Sequence, residues 1–195
     1  MSNKQCIMVD LDNTLVNFTQ MFFNFIKDNF GYNFNEEDLD TYDFNPLFKK
    51  QINDKSVICS FFEALYNYKD FYSNYYILTK EYKKIVDIIS FYKKQNFDIE
   101  LHTKCSTQIM VESKLRFLEY HITNDICFDF ISLELVEGKS IITSTKNIYY
   151  DIIIDDSPSV VEYYLENNKT GKVYLPLRKY NSFLLEKYRN RIEVL

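Results

Sequence analysis

Cys6-Ile7-Met8-Val9-Asp10-Leu11-Asp12-Asn13-Thr14-Leu15-Val16 is the stretch on which the reading of this chain turns. Ile7 to Val9 form a short apolar run, the mark of a buried strand. The run stops at Asp10, and Asp12 follows one residue later. Side chains alternate along a strand, so Asp10 and Asp12 start on the same side. Where the strand ends, the chain can aim both at one point. Two carboxylates about 4 Å apart repel by about 4 kcal/mol at an effective dielectric of about 20. Solvent, a proton or a cation has to relieve that repulsion. A hard divalent ion with oxygen ligands, such as Mg2+, meets the need. Alone, the pattern also describes a solvated strand-to-helix turn carrying two acids, so its meaning depends on the rest of the chain.

The 195 residues suffice for one ordinary domain with a small subdomain, and 46% hydrophobic content is that of a globular chain rather than a disordered one. A net charge of -5 argues against a general binder of the phosphate backbone, so no nucleic-acid partner is expected. Cys6, Cys59, Cys105 and Cys127 are scattered and form no CxxC pair, which favours reduced thiols in a cytoplasmic protein. No apolar run reaches the roughly 20 residues of a membrane span, so no membrane partner is expected. The first residues, Met1 to Gln5, lead straight into the first strand and do not read as a signal peptide.

Taken in order, Phe18, Phe22, Phe23, Phe25 and Ile26 recur at helical spacing up to Gly31, a natural stop. Residues 35–38 suggest a short acidic helix. Val57, Ile58, Phe61, Phe62, Leu65 and Tyr66 keep the helical period again. The stretch 17–74 therefore reads as helices and loops placed directly behind the acid pair, where a lid would be inserted. Thr79 is a candidate cap for a helix over 80–94, with Asn96 as its left-handed stop. An alternating strand over 97–103 ends in Thr103, and a helix over 107–120 follows. A strand over 127–132 comes next. Residues 131–136 and 140–144, joined by a turn at 137–139, suggest a β-hairpin. Asp151 to Ile154 is the strongest buried-strand signal, ending in a second acid pair, Asp155-Asp156. Ser157-Pro158 opens a helix to about Glu166. Strands over 172–175 and 191–195 complete the chain. Strands alternating with helices predict an α/β fold, a Rossmann-like, mainly parallel sheet flanked by helices. Ligands bind such sheets beyond the carboxyl ends of the strands. Three strands here end in groups suited to phosphate and metal.

With Asp10-Leu-Asp12-Asn-Thr14, Thr103 after a strand, a downstream lysine and Ile154-Asp155-Asp156 in that order, the chain resembles the haloacid dehalogenase (HAD) superfamily of phosphotransferases. The resemblance implies a HAD-like core over residues 1–16 and 75–195 with a small helical cap over 17–74 inserted after the first motif. Leu15-Val16-Asn17-Phe18 and Ile152-Ile-Ile-Asp-Asp156 are similar to the 5'(3')-deoxyribonucleotidase group. Asn13-Thr14 stands where better-known members have Gly-Val, and Lys104 where Ser is common.

The resemblance implies that Asp10 is the nucleophile and Asp12 the general acid and base. It implies a phosphate site of Thr103 and Lys104 with a lysine that is Lys146 by its distance from Asp155, or else Lys114 in the helix after Thr103. Mg2+ would be held by Asp10, the backbone carbonyl of Asp12, and the Asp155-Asp156 pair. Phe18, Phe44 and Tyr42 are candidate substrate-binding residues that would stack on a nucleobase. The expected partner is a small phosphate ester, a nucleoside monophosphate first, and a homodimer is the candidate assembly. Other readings are a HAD phosphatase for another ester, such as a sugar phosphate, and a catalytically silent binding module. The segment Arg178 to Asn181 is a candidate to loop back over the site.

Overall fold

The structure, a computed structural model, describes residues 4–135 and 149–195. Six strands form one parallel sheet in the order β3-β2-β1-β4-β5-β6. They are β1 (Cys6–Val9), β2 (Asp98–Cys105), β3 (Phe130–Leu135), β4 (Ile152–Ile154), β5 (Lys172–Leu175) and β6 (Ile192–Val194). The predicted α/β class with a parallel sheet is thus observed. The chain winds outward in opposite directions from β1, whose neighbours are β2 and β4. That reversal is the switch point at which open α/β sheets bind ligands. None of the helices among the described residues is long and apolar enough to cross a membrane.

Helices cover both faces, as the near-continuous apolar strands require. Met8, Ile153, Val173 and Leu175 pack with Val161, Tyr164 and Leu165 of α7 (Pro158–Asn167) and Leu184 of α8 (Leu184–Tyr188). Ile7, Val9, Ile99, Leu101 and Ile154 face the other way, toward Ile85 and Ile89 of α5 (Tyr82–Lys94) and Phe117 of α6 (Gln108–Phe117).

Between β1 and α5 lie α1 (Phe18–Phe30), α2 (Asn45–Gln51), α3 (Lys55–Tyr66) and α4 (Phe71–Tyr75). Asn17 caps α1 by accepting the Gln20 N–H, and Gly31, at φ 77°, ends it in the left-handed region with its N–H on Lys27 O. The insert leaves and returns along one seam: Asn17 N–H donates to Ile77 O at 2.7 Å and Thr79 N–H to Leu15 O at 3.0 Å. Rings fill its interior. Phe48 packs on Phe34 at 4.8 Å and Phe61 at 5.5 Å between centroids, and Phe22 on Phe44 at 5.4 Å.

Three local expectations are corrected. The strands expected over 127–132 and 131–136 are a single strand, β3, because Glu100 to Cys105 of β2 pair in parallel with Phe130 to Leu135. The same pairing carries β2 two residues past Thr103. The proposed turn and second hairpin arm lie outside the described residues. Thr79 does not cap α5, whose first residue is Tyr82; its hydroxyl donates to Thr14 O at 2.7 Å and ties the insert's exit to the loop after β1. Asn96, at φ 67°, does adopt the left-handed conformation after α5.

Candidate active site

Asp10 still belongs to the sheet, with its N–H on Ile154 O at 2.9 Å. The chain then turns sharply. Leu11 O accepts the N–H groups of Leu15 and Val16 at 2.9 and 3.0 Å, and Asn13 sits at φ 58°. Asn tolerates that conformation because its short amide can bond locally. Here the Asn13 Oδ1 accepts the Thr19 N–H at 2.9 Å and the Thr19 hydroxyl at 3.0 Å. Arg178 donates to Asn13 O at 2.9 Å and pairs with Glu81 at 2.8 Å in a buried ion pair. The turn is held from both the insert side and the β5 side.

At these strand ends one carboxylate oxygen each from Asp10, Asp155 and Asp156 lies within 4.8 Å of the others. Asp155 and Asp156 are buried and Asp10 partly so. Asp155 accepts the Ser157 N–H at 2.7 Å at the start of α7. Asp156 accepts the Thr14 hydroxyl at 3.3 Å on Oδ1 and the Tyr180 hydroxyl on Oδ2. Burial, then Asp155, Asp156 and Asp12, push the Asp10 carboxyl well above its ordinary range, against a weaker pull from Lys114. Burial and Asp156 do the same to Asp155. Burial raises Asp156 to about 6, partly offset by Tyr180, Arg178 and Thr14. Three acids that resist sharing negative charge form an all-oxygen donor set that fits a hard cation such as Mg2+.

Lys114 reaches the other acid of the first motif, Asp12, beside this cluster. It is 0% exposed. Its ammonium donates to Asp12 Oδ2 at 2.6 Å, Thr103 Oγ1 at 2.7 Å and Lys104 O at 2.7 Å, using all three protons. Burial pulls its pKa down, but Asp12, Cys105 and Asp10 together outweigh that and the net shift is upward. By accepting from Lys114, the Thr103 hydroxyl keeps its own proton free to donate. Lys146, the other lysine expected here, lies outside the described residues.

The second oxygen of Asp12 accepts the Tyr72 hydroxyl at 2.6 Å. Tyr72, in α4, was not anticipated, because nothing local distinguishes it among 17 tyrosines. Tyr180 was anticipated only as part of the segment looping back, and the structure brings that segment onto Asn13 and Asp156.

Two cavities meet at this point. The larger, of about 280 Å³, is lined by Asp10, Asp12, Thr103, Lys104, Asp155 and Ser157, and extends to Met8, His102 and Val160. His102 is 7% exposed, and neither ring nitrogen has a hydrogen-bond partner among the described residues. Burial holds it below its ordinary pKa, against the opposing pull of Glu134, 3.5 Å away. The smaller cavity, of about 120 Å³, is walled by Phe18, Leu39, Tyr42, Phe44 and Tyr180 over Asp12 and Asn13. Phe18, Phe44 and Tyr42, spread over 27 positions of sequence, therefore face one space. Asp12 and Tyr42 line both cavities. Tyr42 leaves half its surface in solvent while its hydroxyl reaches Ser157.

No protein-family model matches the chain, and no curated protein matches it. Solved structures do. A protein described as a phosphoglycolate phosphatase, from Lactobacillus plantarum, overlays with a TM-score of 0.53 at 13% identity, covering 88% of this chain and 86% of that one. A haloacid dehalogenase-like hydrolase from Xanthomonas campestris overlays with a TM-score of 0.51 at 15% identity, covering 98% and 90%. The fold is haloacid dehalogenase-like. A further match, to a chain of the Pnkp1/Rnl/Hen1 complex (TM-score 0.49, 13% identity), takes in 90% of this chain and 47% of that one. In the HAD-like fold described above, Asp10, Thr103 and Asp155 all stand at the carboxyl end of the sheet, where the switch point lies.

Proposed function

We propose that the chain is a Mg2+-dependent phosphomonoesterase acting on nucleoside 5'-monophosphates through an aspartyl-phosphate on Asp10. The observation that carries this reading is the position of Asp12, at the junction of a charged cavity and an aromatic one. A phosphate monoester has the same division. Its phosphoryl group needs donors and a nucleophile, and its leaving group needs a surface of its own kind. The bond between them breaks where the two parts meet, and a general acid must stand there.

Asp10 attacks phosphorus, the P–O bond to the leaving oxygen breaks, and Asp12 supplies the proton to that oxygen. Asp12 then takes a proton from the water that attacks phosphorus and releases Asp10, so one hard displacement becomes two easier ones. Thr103 donates to the phosphoryl oxygens, the backbone N–H groups beyond Asp12 add to it, and Lys114 holds Thr103 and Asp12 in place and lends its positive charge from beneath. Asp10, Asp155 and Asp156, with the Asp12 carbonyl, would hold Mg2+, which would supply charge neutralisation between nucleophile and phosphate. Residues 17–74 act as the cap. Phe18, Phe44 and Tyr42 reach from it to hold a flat, apolar-faced group such as a nucleobase, by stacking.

The decisive test is a substrate panel on the purified protein with Mg2+: deoxyuridine and thymidine 5'-monophosphates, other nucleotides, and sugar phosphates. Nucleotides are expected to lead in kcat/KM, and EDTA to abolish turnover. A tenfold or greater lead for sugar phosphates would sink the nucleotide reading. Absence of phosphate release from any ester would favour a binding module.

A further inference from the structure

Tyr180 belongs to the short turn after β5, and that turn is itself locked. Asn181 Nδ2 donates to Asp156 O at 2.9 Å and to Pro176 O at 3.0 Å, while Asn181 Oδ1 accepts the Arg178 N–H at 2.8 Å. The Tyr180 hydroxyl therefore approaches Asp156 from a fixed support. Thr14 holds the opposite oxygen of the same carboxylate, at 3.3 Å. Two donors on two oxygens define the plane of a buried carboxylate that would otherwise turn away from Asp10 and Asp155. The Tyr180 ring also walls the aromatic cavity and meets the Tyr42 ring edge-on, 5.5 Å between centroids. Next to it, Lys179 forms an ion pair with Asp40 of the insert.

We propose that Tyr180 is a positioning residue: its hydroxyl sets the orientation of Asp156 for the divalent cation, and its ring forms the leaving-group wall against the insert. The proposal rests on the phosphatase reading above. Partners that orient a ligating carboxylate commonly govern metal affinity by roughly 10–100-fold without touching the metal. The two halves of Tyr180 are separable, because Tyr180→Phe deletes only the hydroxyl and Tyr180→Ala deletes both.

The test is calorimetric titration of the full chain with MgCl2 alone, with no substrate present. Tyr180→Phe is expected to weaken Mg2+ binding by roughly 10–100-fold. Tyr82→Phe serves as control, since it removes a comparable phenol–carboxylate bond, Tyr82 to Asp125 at 2.9 Å, away from the cluster. The control is expected to bind as wild type does. At saturating Mg2+, Tyr180→Ala is expected to raise KM about tenfold above that of Tyr180→Phe, the worth of about 1.4 kcal/mol of lost contact. Wild-type binding with Tyr180→Phe within twofold of it would overturn the proposal and leave the phosphatase reading standing. Equal losses in Tyr180→Phe and Tyr82→Phe would overturn it too, as a general loosening. Failure of the wild type to bind Mg2+ would overturn both.

Discussion

The acid-lined strand ends and the ring-filled insert are adjacent and stabilised by opposite means. At the strand ends each contact has direction. Lys114 spends all three protons on three named oxygens, and Asp156 is gripped on both of its own. Inside the insert Phe22, Phe34, Phe44, Phe48 and Phe61 touch one another at varied angles, from 14° between Phe44 and Phe48 to 87° between Phe48 and Phe61. Ring contacts sum many weak attractions with little angular demand. One region therefore depends on individual atoms and the other on volume. Substitutions should separate the two in kind as well as in size.

The largest effect is expected at Asp10. Asp10→Asn should lower kcat by at least about 10⁴-fold, as loss of a nucleophile does. In metal-free protein it should also raise stability, since it removes a charge that burial, Asp155, Asp156 and Asp12 all oppose. Phosphate release and urea unfolding read the two halves, and retained turnover would remove Asp10 from its role. Phe48→Ala should cost about 3–5 kcal/mol in stability with kcat of the folded protein unchanged, while Phe48→Leu should cost about 1.5 kcal/mol or less. A large kcat change from Phe48→Leu would break the division between regions.

Lys114→Met should cost about 3 kcal/mol, the low end for stranding the partner of a buried pair, because Asp12 keeps some contact with water. Unlike Phe48→Ala it should also lower kcat, so urea midpoints and turnover together distinguish the two. The smallest effect concerns pH. Asp156 sits at about 6 in the folded protein against about 3.9 in an unfolded chain. The folded state therefore takes up the proton first as pH falls, and metal-free stability should rise by on the order of 1–2 kcal/mol between about pH 7.5 and pH 5. Saturating Mg2+ should flatten that rise. His102 has the opposite sign, because its folded pKa is depressed and the unfolded chain is protonated first below about pH 6.5. Urea unfolding in a His102→Gln background removes the histidine's contribution. A metal-free protein that still loses stability on acidification there would contradict the burial of this charge.

Asp10, Asp12, Thr103 and the Asp155-Asp156 pair were legible because each lies at or near the end of a periodic apolar run, and periodicity is a local property. Gly31 and Asn96 were legible for a similar reason, since a left-handed stop needs a particular residue at one position. The extent of β3 was not legible. Its length is set by the partner strand β2, and pairing partners leave no trace in a short window. Thr79 was misassigned because a hydroxyl before a helix has two outlets, its own helix or a distant carbonyl, and only the fold brings Thr14 O within reach.

The sequence by itself determined the α/β class, the parallel sheet and the acids at its carboxyl end, all of which follow from local patterns of burial and charge. Tertiary structure alone decided that Tyr72 and Lys114 share Asp12, that Phe18, Tyr42 and Phe44 face one cavity, and that Tyr180 returns to Asp156. Those pairs are separated by 60, 102 and 24 residues for Tyr72–Asp12, Lys114–Asp12 and Tyr180–Asp156. Closing such loops costs an entropy that is almost blind to the residues between, so nothing along the intervening chain announces where its ends will meet.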